Sequence, residues 1–345
     1  MASRFPLLEA TLSELTDRTG MSVETLLPVL DKMADKGLIM DLPYRKETYY
    51  LLLPGVIGFF EFTFMKNRTD LPLEKVARLM AEYFHWGDEH SQGAEFFGSK
   101  TQLTRSLVYD SAVPVTSSVV SLNSAKAIVR EAEFGAAAMC YCRHQRVHEG
   151  KSCRKGAPVK GLCLTVGKGA EFLIRRGFAE RKTTEELLDI LDYAESLHLT
   201  HITDNVRHKP SFICNCCGCC CHIMEGVQSG YYQGVKTSPY QAVIDEDICD
   251  YCGACFTACN VRAITLDRNS SHRVSRVRDD ICLGCGACIT SCEKQAIRME
   301  PRKKYTKPLK TKQGMFTRIA WEKGRLAPLL NAAVKKKLNA WGKNK

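Results

Sequence analysis

Eight of the 18 cysteines occur in two copies of one pattern, and thiolates at fixed spacing are ligands for soft metals. Residues 247–266 and 280–299 superimpose with a constant offset of 33 positions. Each copy has the spacing Cys-x2-Cys-x2-Cys-x3-Cys and a late Ala-Ile pair. A pair of zinc knuckles explains this spacing less well, because the third cysteine of each copy would be surplus. The repeat therefore indicates a duplicated site for polynuclear metal centres.

Over residues 241–300 this spacing resembles that of bacterial ferredoxins, which hold two [4Fe–4S] clusters and transfer single electrons. In that family the first three cysteines of a copy bind one cluster and the fourth binds the other. The resemblance therefore implies Cys249, Cys252, Cys255 and Cys292 for cluster I, and Cys282, Cys285, Cys288 and Cys259 for cluster II. One departure concerns the residue after the fourth cysteine, usually proline in the family, which is Asn260 or Glu293 here.

Ten further cysteines lie upstream, at Cys140, Cys142, Cys153, Cys163, Cys214, Cys216, Cys217, Cys219, Cys220 and Cys221. Thiols at this density are prone to oxidation unless something binds them, and adjacent side chains diverge, so we expect a subset to bind metal. One interpretation is a third [4Fe–4S] cluster, with Cys140, Cys142, Cys153 and Cys163 as one set and the 214–221 run beside it or forming a second site. The others are a zinc or mixed-metal site using His144, His148 or His222, and a redox-active dithiol relay.

This arrangement also resembles multi-cluster, ferredoxin-containing proteins of anaerobic bacteria and archaea, in which a cysteine-rich segment precedes a two-cluster module. The elements that position the upstream cysteines are less regular in sequence. Two apolar stretches, 136–139 and 211–213, lead directly into cysteines and predict strands that bring ligands together. Thr183 and Glu186 form a capping box, which predicts a helix start.

The N-terminal residues predict two helices and a ribbon. A helix beginning near Thr11 stops at Gly20, and Ser22 caps a second helix with apolar residues at helical spacing. Residues 38–40 and 48–53 read as two paired strands. The pattern resembles a winged-helix domain. Its second helix, residues 22–36, has a net charge of −1, which disfavours DNA binding and favours a structural or partner-docking use.

We therefore expect an α+β protein of five segments. These are a winged-helix-like domain (1–55), a mixed, mostly helical domain with the cysteine-rich site (56–230), a linker (231–240), the ferredoxin-like module (241–300) and a basic amphipathic tail (301–345). The tail has 14 lysines and arginines against one acid, a net charge of +13, so the first 300 residues carry −2 of the total +11. Apolar residues from Leu329 to Trp341 recur at helical spacing, which suits an anionic membrane surface or an acidic redox partner protein.

Several classes of protein do not fit. The N-terminus lacks the basic and apolar regions of an export signal, and the longest apolar run, residues 49–60, is interrupted by proline and glycine. We expect a cytoplasmic protein, with possible contact at the inner face of the membrane. No Rossmann glycine pattern, Walker motif or nucleophile elbow is present.

These observations predict an electron carrier, or an electron-transferring subunit of an anaerobic oxidoreductase, rather than a self-contained enzyme. The alternative is an iron–sulfur or redox-sensing regulator that binds DNA through the winged helix.

Overall fold

The computed structural model describes residues 1–84, 91–113, 123–267, 274–328, 330, 331 and 334. Within these residues the α-helices are α1 Leu12–Thr19, α2 Val23–Asp35, α3 Phe60–Phe64, α4 Leu73–Tyr83, α5 Gln92–Phe97, α6 Ala125–Glu131, α7 Tyr141–His148, α8 Lys168–Arg175, α9 Thr184–Ser196, α10 His222–Gln228, α11 Ala254–Ala258 and α12 Lys312–Glu322. The strands are β1 Ala10–Thr11, β2 Ile39–Tyr44, β3 Glu47–Leu52, β4 Thr104–Ser106, β5 Gly135–Ala138, β6 Cys163–Val166, β7 Ala179–Lys182, β8 Thr200–Asp204, β9 Phe212–Cys216, β10 Val235–Lys236, β11 Tyr240–Ile244, β12 Ile264–Asp267, β13 Val274–Val277 and β14 Ile297–Pro301. Helices and mostly antiparallel sheets agree with the α+β prediction.

The predicted helices and ribbon of the N-terminal residues are confirmed. Thr11 and Glu14 form a capping box at the start of α1, and Gly20 ends that helix in the left-handed conformation with φ of 69°. Ser22 caps α2 by accepting a hydrogen bond from the Thr25 N–H. Strands β2 and β3 pair antiparallel, and β1 adds to the far side of β3. The helices and sheet enclose a small core that includes Leu15, Leu26, Leu30, Ile39 and Tyr50.

A seven-stranded sheet organises the middle of the chain, in the order β10-β4-β8-β9-β6-β5-β7. All its neighbours are antiparallel except β10 and β4, which are parallel. This sheet was not predicted, because a mostly helical domain was expected here. Strands β5 and β9 nevertheless confirm the two predicted ligand-bearing strands. Every residue of β5, β6 and β8 is buried. Strands covered on both faces lack the polar–apolar alternation that identifies a strand in sequence.

Helices cover both faces of this sheet. On one face, α6 and α9 contribute Ile128, Val129, Leu187 and Leu191 to a core that reaches β5, β6 and β9. The predicted capping box of Thr183 and Glu186 is present at the start of α9. On the other face, Phe172 and Leu173 of α8 and the following Phe178 continue into a larger core that includes several cysteines. The cysteine-bearing strands are therefore held between two packed layers.

The C-terminal cysteine repeats lie between two short antiparallel ribbons. Strand β11 pairs with β14, and β12 pairs with β13. The loops that carry the cysteines connect these ribbons, together with the short helix α11. The segment predicted as a linker, 231–240, contains β10, a strand of the central sheet, and the first residue of β11.

The first part of the basic tail packs against the body. The Thr101 N–H and hydroxyl donate hydrogen bonds of 2.8 and 2.6 Å to the Glu322 carboxylate at the end of α12. Lys312 pairs with the buried Asp204 at 2.9 Å. Of the predicted amphipathic helix, Leu330 and Val334 are exposed, while Leu329, Ala333, Leu338, Trp341 and the three lysines at 335–337 lie outside the described residues. Among the described helices, none has the length and apolar character to cross a bilayer.

Arg176, at the end of α8, joins the N-terminal residues to the sheet. Its guanidinium contacts Asp31 and Asp35 of α2 at 2.9 Å each, and the buried Asp41 of β2 at 2.8 Å. Burial raises the pKa of Asp41, but hydrogen bonds from Arg176 and Arg175 outweigh this effect and hold the pKa below its usual value of 3.8. The ion pair therefore stabilises the docked arrangement when Asp41 is ionised.

We expect Arg176→Leu to lower the free energy of opening of residues 10–52 by about 2 kcal/mol, because Asp41 loses its main cationic partner. Native-state hydrogen exchange at neutral pH measures this loss, and the exposed Arg4→Leu is the matched control. Because the pKa of Asp41 is lowered in the folded state, its contribution disappears as the pH falls below 3.8, and the difference between wild type and R176L should narrow there. An opening free energy unchanged in R176L at pH 7 contradicts the assignment.

Candidate metal centres

Four cysteines of the C-terminal repeats line one cavity of about 310 Å³. Three come from the first repeat and one from the second: Cys249, Cys252, Cys255 and Cys292. The rest of the lining is largely apolar and includes Ile244, Ala296 and Ile297 from the β11–β14 ribbon. The structure thus brings together the set that the ferredoxin resemblance implies for cluster I, although these residues are up to 43 positions apart in sequence.

The other four repeat cysteines, Cys282, Cys285, Cys288 and Cys259, are close enough to affect each other's ionisation. Burial raises the pKa of the Cys285 thiol to about 11, opposed by hydrogen bonds from the Ala287 N–H and the Thr200 hydroxyl. The Thr200 oxygen lies 3.6 Å from the Cys285 sulfur, and the Ala263 N–H donates to the Cys259 sulfur at 3.2 Å. Hydrogen bonds to sulfur are a main means by which proteins tune cluster potentials.

The burial of cysteine thiols in the C-terminal repeats indicates whether an iron–sulfur cluster fits there. Burial raises the pKa of the Cys255 thiol to about 11 and that of Cys288 well above its ordinary value. A buried thiolate without a neighbouring positive charge is unfavourable, whereas a metal supplies that charge and displaces the proton. Cysteines from both repeats around one cavity, with Cys255 buried among them, are therefore a donor set that suits a cluster.

A second cavity, of about 360 Å³, lies at the end of the central sheet and is lined by eight of the upstream cysteines, two of which, Cys217 and Cys220, also belong to a separate group described below. We call it the six-cysteine cavity after the other six, which are its candidate ligands: Cys140, Cys142, Cys163, Cys214, Cys216 and Cys221. Strands β6 and β9 place Cys163 and Cys214 directly opposite each other. The turn before α10 returns Cys221 to within 3.2 Å of the Cys216 sulfur. The predicted strands thus deliver cysteines to one place.

Arg143 also lines the six-cysteine cavity and is 2% exposed. Its Nη2 donates to the Asn215 carbonyl at 2.7 Å, but in the part of the chain that the structure describes its Nε and Nη1 have no hydrogen-bond partner. Burial lowers the pKa of Arg143, but thiolates, first that of Cys140, outweigh burial and raise it. In the sequence, the one signal for Arg143 is its position directly after the Cys-x-Cys pair at 140–142.

The remaining upstream cysteines form a compact group that we call the four-cysteine site. The sulfurs of Cys153, Cys217, Cys219 and Cys220 all lie within 4.8 Å of one another. The structure places Cys153 in this group, apart from Cys140, Cys142 and Cys163, with which the sequence analysis grouped it. The side chains of the adjacent Cys216 and Cys217 diverge, as the sequence predicted. Those of Cys219 and Cys220 do not, since their sulfurs are 3.8 Å apart.

The histidines considered as zinc ligands have other partners. His144 Nδ1 lies 2.8 Å from the Phe64 carbonyl, and its Nε2 lies 3.1 Å from His148 Nε2. His222 Nε2 lies 2.5 Å from the Gln145 amide oxygen, and its ring stacks on Phe84. None of the three belongs to the four-cysteine site.

Asn260, which replaces the usual proline, connects the C-terminal repeats to the cysteine-rich turn. It is 2% exposed, and its amide oxygen accepts from the Gly218 N–H at 3.0 Å. Its amide nitrogen donates to the His198 carbonyl at 2.7 Å and to the Thr200 hydroxyl at 3.0 Å. A Cβ at Gly218 would lie 2.5 Å from the Asn260 carbonyl oxygen, so glycine is required for this close approach. The residue directly after Cys259 thus contacts the residue directly after Cys217.

Lys155 occupies the space between the same two regions. Its ammonium donates to the carbonyls of His198 and Ala258 at 2.8 Å each. Burial lowers its pKa, while thiolates on both sides, first Cys285 and then Cys217, raise it. Lys155 and Asn260 therefore lie between the C-terminal repeats and the four-cysteine site. Arg143 lies between the four-cysteine site and the six-cysteine cavity.

Comparison with known proteins supports the assignment of the repeats. The family model of the 4Fe-4S dicluster domain matches residues 248–296. Neither the curated proteins nor the solved structures give a match to the chain. The family match and the cysteine groups support 4Fe–4S cluster binding and iron–sulfur electron transfer.

We expect Asn260→Ala to increase hydrogen exchange of the turn at 214–221 by about tenfold or more, because its buried partners lose three hydrogen bonds. Hydrogen exchange read by mass spectrometry on the anaerobically purified, metal-loaded protein measures this effect. Glu293→Ala is the matched control, since the exposed Glu293 occupies the same place in the second repeat. Equal exchange in both variants contradicts a docking role for Asn260.

Proposed function

We propose that the protein transfers single electrons through two [4Fe–4S] clusters, as a carrier or as a subunit of an oxidoreductase. Cys249, Cys252, Cys255 and Cys292 would hold one cluster, and Cys282, Cys285, Cys288 and Cys259 the other. The observation that carries the proposal is the cavity at the C-terminal repeats, since its four thiols come from both repeats. Because the fourth cysteine of each repeat would bind the cluster of the other repeat, the two clusters would lie close together, which suits electron transfer.

One side of the first cavity faces the surface, where electrons can enter or leave. Cys252 is exposed, and the nearby Ile248 and Phe256 are 51% and 47% exposed. Large apolar side chains beside an exposed ligand suit transient docking of a redox partner protein. Cys285 and Cys288, by contrast, are directed toward Thr200 and Tyr109 of the body. We propose that electrons pass between this surface and the interior.

We further propose that the six-cysteine cavity holds a third iron–sulfur centre. Its six candidate ligands are all thiols, which is more than the four that one cluster requires. A thiolate-ligated cluster is anionic, and the two unpartnered nitrogens of the buried Arg143 offer compensating hydrogen bonds. The surrounding sheet and helices exclude water, which strengthens this electrostatic interaction.

The contacts of α2 favour the alternative function, a DNA-binding redox regulator, less than they favour electron transfer. In a winged-helix regulator, α2 would be the helix that enters the DNA groove. Here Asp31 and Asp35 of that helix form ion pairs with Arg176 of the body. A helix with acidic side chains held against the protein is a poor match for DNA phosphates. We therefore propose that residues 1–55 dock on the body or on a partner protein.

Iron and acid-labile sulfide measurements on anaerobically purified protein test the proposed centres. We expect about 12 or more iron atoms per chain, of which about four are lost in Cys255→Ser and about four or more in a Cys140→Ser/Cys142→Ser double variant. Stepwise reduction followed by electron paramagnetic resonance should show single-electron steps and magnetic interaction between the two repeat clusters. About eight iron atoms, unchanged in the double variant, contradict a centre in the six-cysteine cavity. Loss of no iron in C255S contradicts the ferredoxin-like assignment.

Arg143→Met should make the third centre harder to reduce, because a buried positive charge that favours the reduced, more negative state is lost. We expect a potential lower by on the order of 100 mV, measured by redox titration of the centre's spectroscopic signal. Arg143→Lys is the control, since it keeps the charge and should recover much of the potential. A potential equal in R143M and wild type, at equal iron content, contradicts charge compensation by Arg143.

A further inference from the structure

Three sulfur–sulfur distances in the four-cysteine site match the edge of a tetrahedron around one ion, and all four sulfurs lie within 4.8 Å of one another. Cys153 lies 3.5 Å from Cys217 and 3.7 Å from Cys219, and Cys219 lies 3.8 Å from Cys220. Four sulfurs at about 2.3 Å from a central zinc ion are separated by about 3.8 Å along each tetrahedral edge. In a cubane each thiolate binds a different iron at the outside of the cluster, so the sulfurs must be farther apart.

We propose that Cys153, Cys217, Cys219 and Cys220 bind a single zinc ion. The site is closed, because four protein thiolates complete a tetrahedral coordination and leave no position for substrate. Tetrahedral S4 donor sets suit zinc or iron, and divalent zinc binds such ligands more tightly than divalent iron does. Zinc has no redox chemistry, so the site would hold the structure together rather than carry electrons.

Two cations and a backbone group balance the charge of this site. A divalent ion with four thiolates has a net charge of −2. The buried guanidinium of Arg143 is on one side, with Cys217 and Cys153 among its electrostatic neighbours, and the Lys155 ammonium is on the other, near Cys217 and Cys219. The Arg154 N–H donates to the Cys219 sulfur at 3.4 Å. These contacts are the outer partners expected of a thiolate metal site.

The ion would fix the turn that joins the two halves of the protein. It connects Cys153, in the loop after α7, to three cysteines of the turn between β9 and α10. The same turn presents Gly218, whose N–H bonds to Asn260 and whose carbonyl accepts from Gln228 at 2.8 Å. By holding this turn, the zinc ion would keep the six-cysteine cavity and the C-terminal repeats in a constant relative position.

Zinc content and zinc X-ray absorption of the full-length, anaerobically purified protein test the proposal. We expect about one zinc per chain, with a first shell of four sulfurs at about 2.3 Å and no nearby metal scatterer. This measurement uses the wild-type protein and does not depend on whether any variant folds. Absence of zinc, or a first shell containing nitrogen or oxygen, overturns the proposal.

Two neighbouring cysteines supply matched variants that separate this site from the proposed clusters. Cys219→Ser should reduce zinc at least fivefold and leave the iron content unchanged. Cys216→Ser, whose side chain faces the six-cysteine cavity, should reduce iron and leave zinc unchanged. Iron loss in C219S with zinc unchanged overturns the assignment, as does zinc loss confined to C216S. Because zinc and iron are counted separately, a failure of the electron-transfer proposal would not affect this result.

Discussion

The unfavourable energy of a buried thiolate is the constraint on which the rest of this structure depends. Most of the 18 cysteines are buried or half-buried, and each one that ionises needs a compensating charge or hydrogen bond. The chain provides these from three sources: backbone N–H groups such as that of Ala263, the cations Arg143 and Lys155, and the proposed metals. The central sheet, the tight turns and the duplicated loops place the thiols where these sources are available. The cysteines themselves form part of the core, packed together with large apolar side chains.

The cysteine-rich turn divides its side chains between two neighbouring groups. Cys214, Cys216 and Cys221 face the six-cysteine cavity, while Cys217, Cys219 and Cys220 belong to the four-cysteine site. Between them, Gly218 brings the backbone against Asn260. One short segment therefore contributes to both upstream sites and to the contact with the C-terminal repeats. Because this segment supplies ligands to two sites, it contains six cysteines within eight residues. Without bound metal, thiols at this density would be prone to oxidation.

Local signals predicted the parts of the structure that depend on local interactions. Caps at Thr11, Ser22 and Thr183 fixed the starts of three helices, and the repeat spacing indicated the ligand set around the first cavity. The seven-stranded sheet was missed because its central strands are buried on both faces and are only four or five residues long. The partner of Cys153 was missed because it depends on a contact across more than 60 residues, and Asn260 because its hydrogen bonds are all to distant segments.

Consecutive residues that face different centres also have a consequence for how the protein matures. Cys216 and Cys217 share a peptide bond, as do Cys220 and Cys221, yet the sulfurs of Cys216 and Cys221 lie 3.2 Å apart while those of Cys217 and Cys220 belong to the four-cysteine site. Because a peptide unit is rigid, filling one site restricts the backbone of the other before its own metal arrives. Loading of the two sites is therefore coupled, and cofactor insertion would be cooperative. Oxidation of the half-exposed Cys153 or Cys219 would also release the turn. The buried cysteine ligands of the neighbouring site would then be displaced, although oxygen cannot reach them directly.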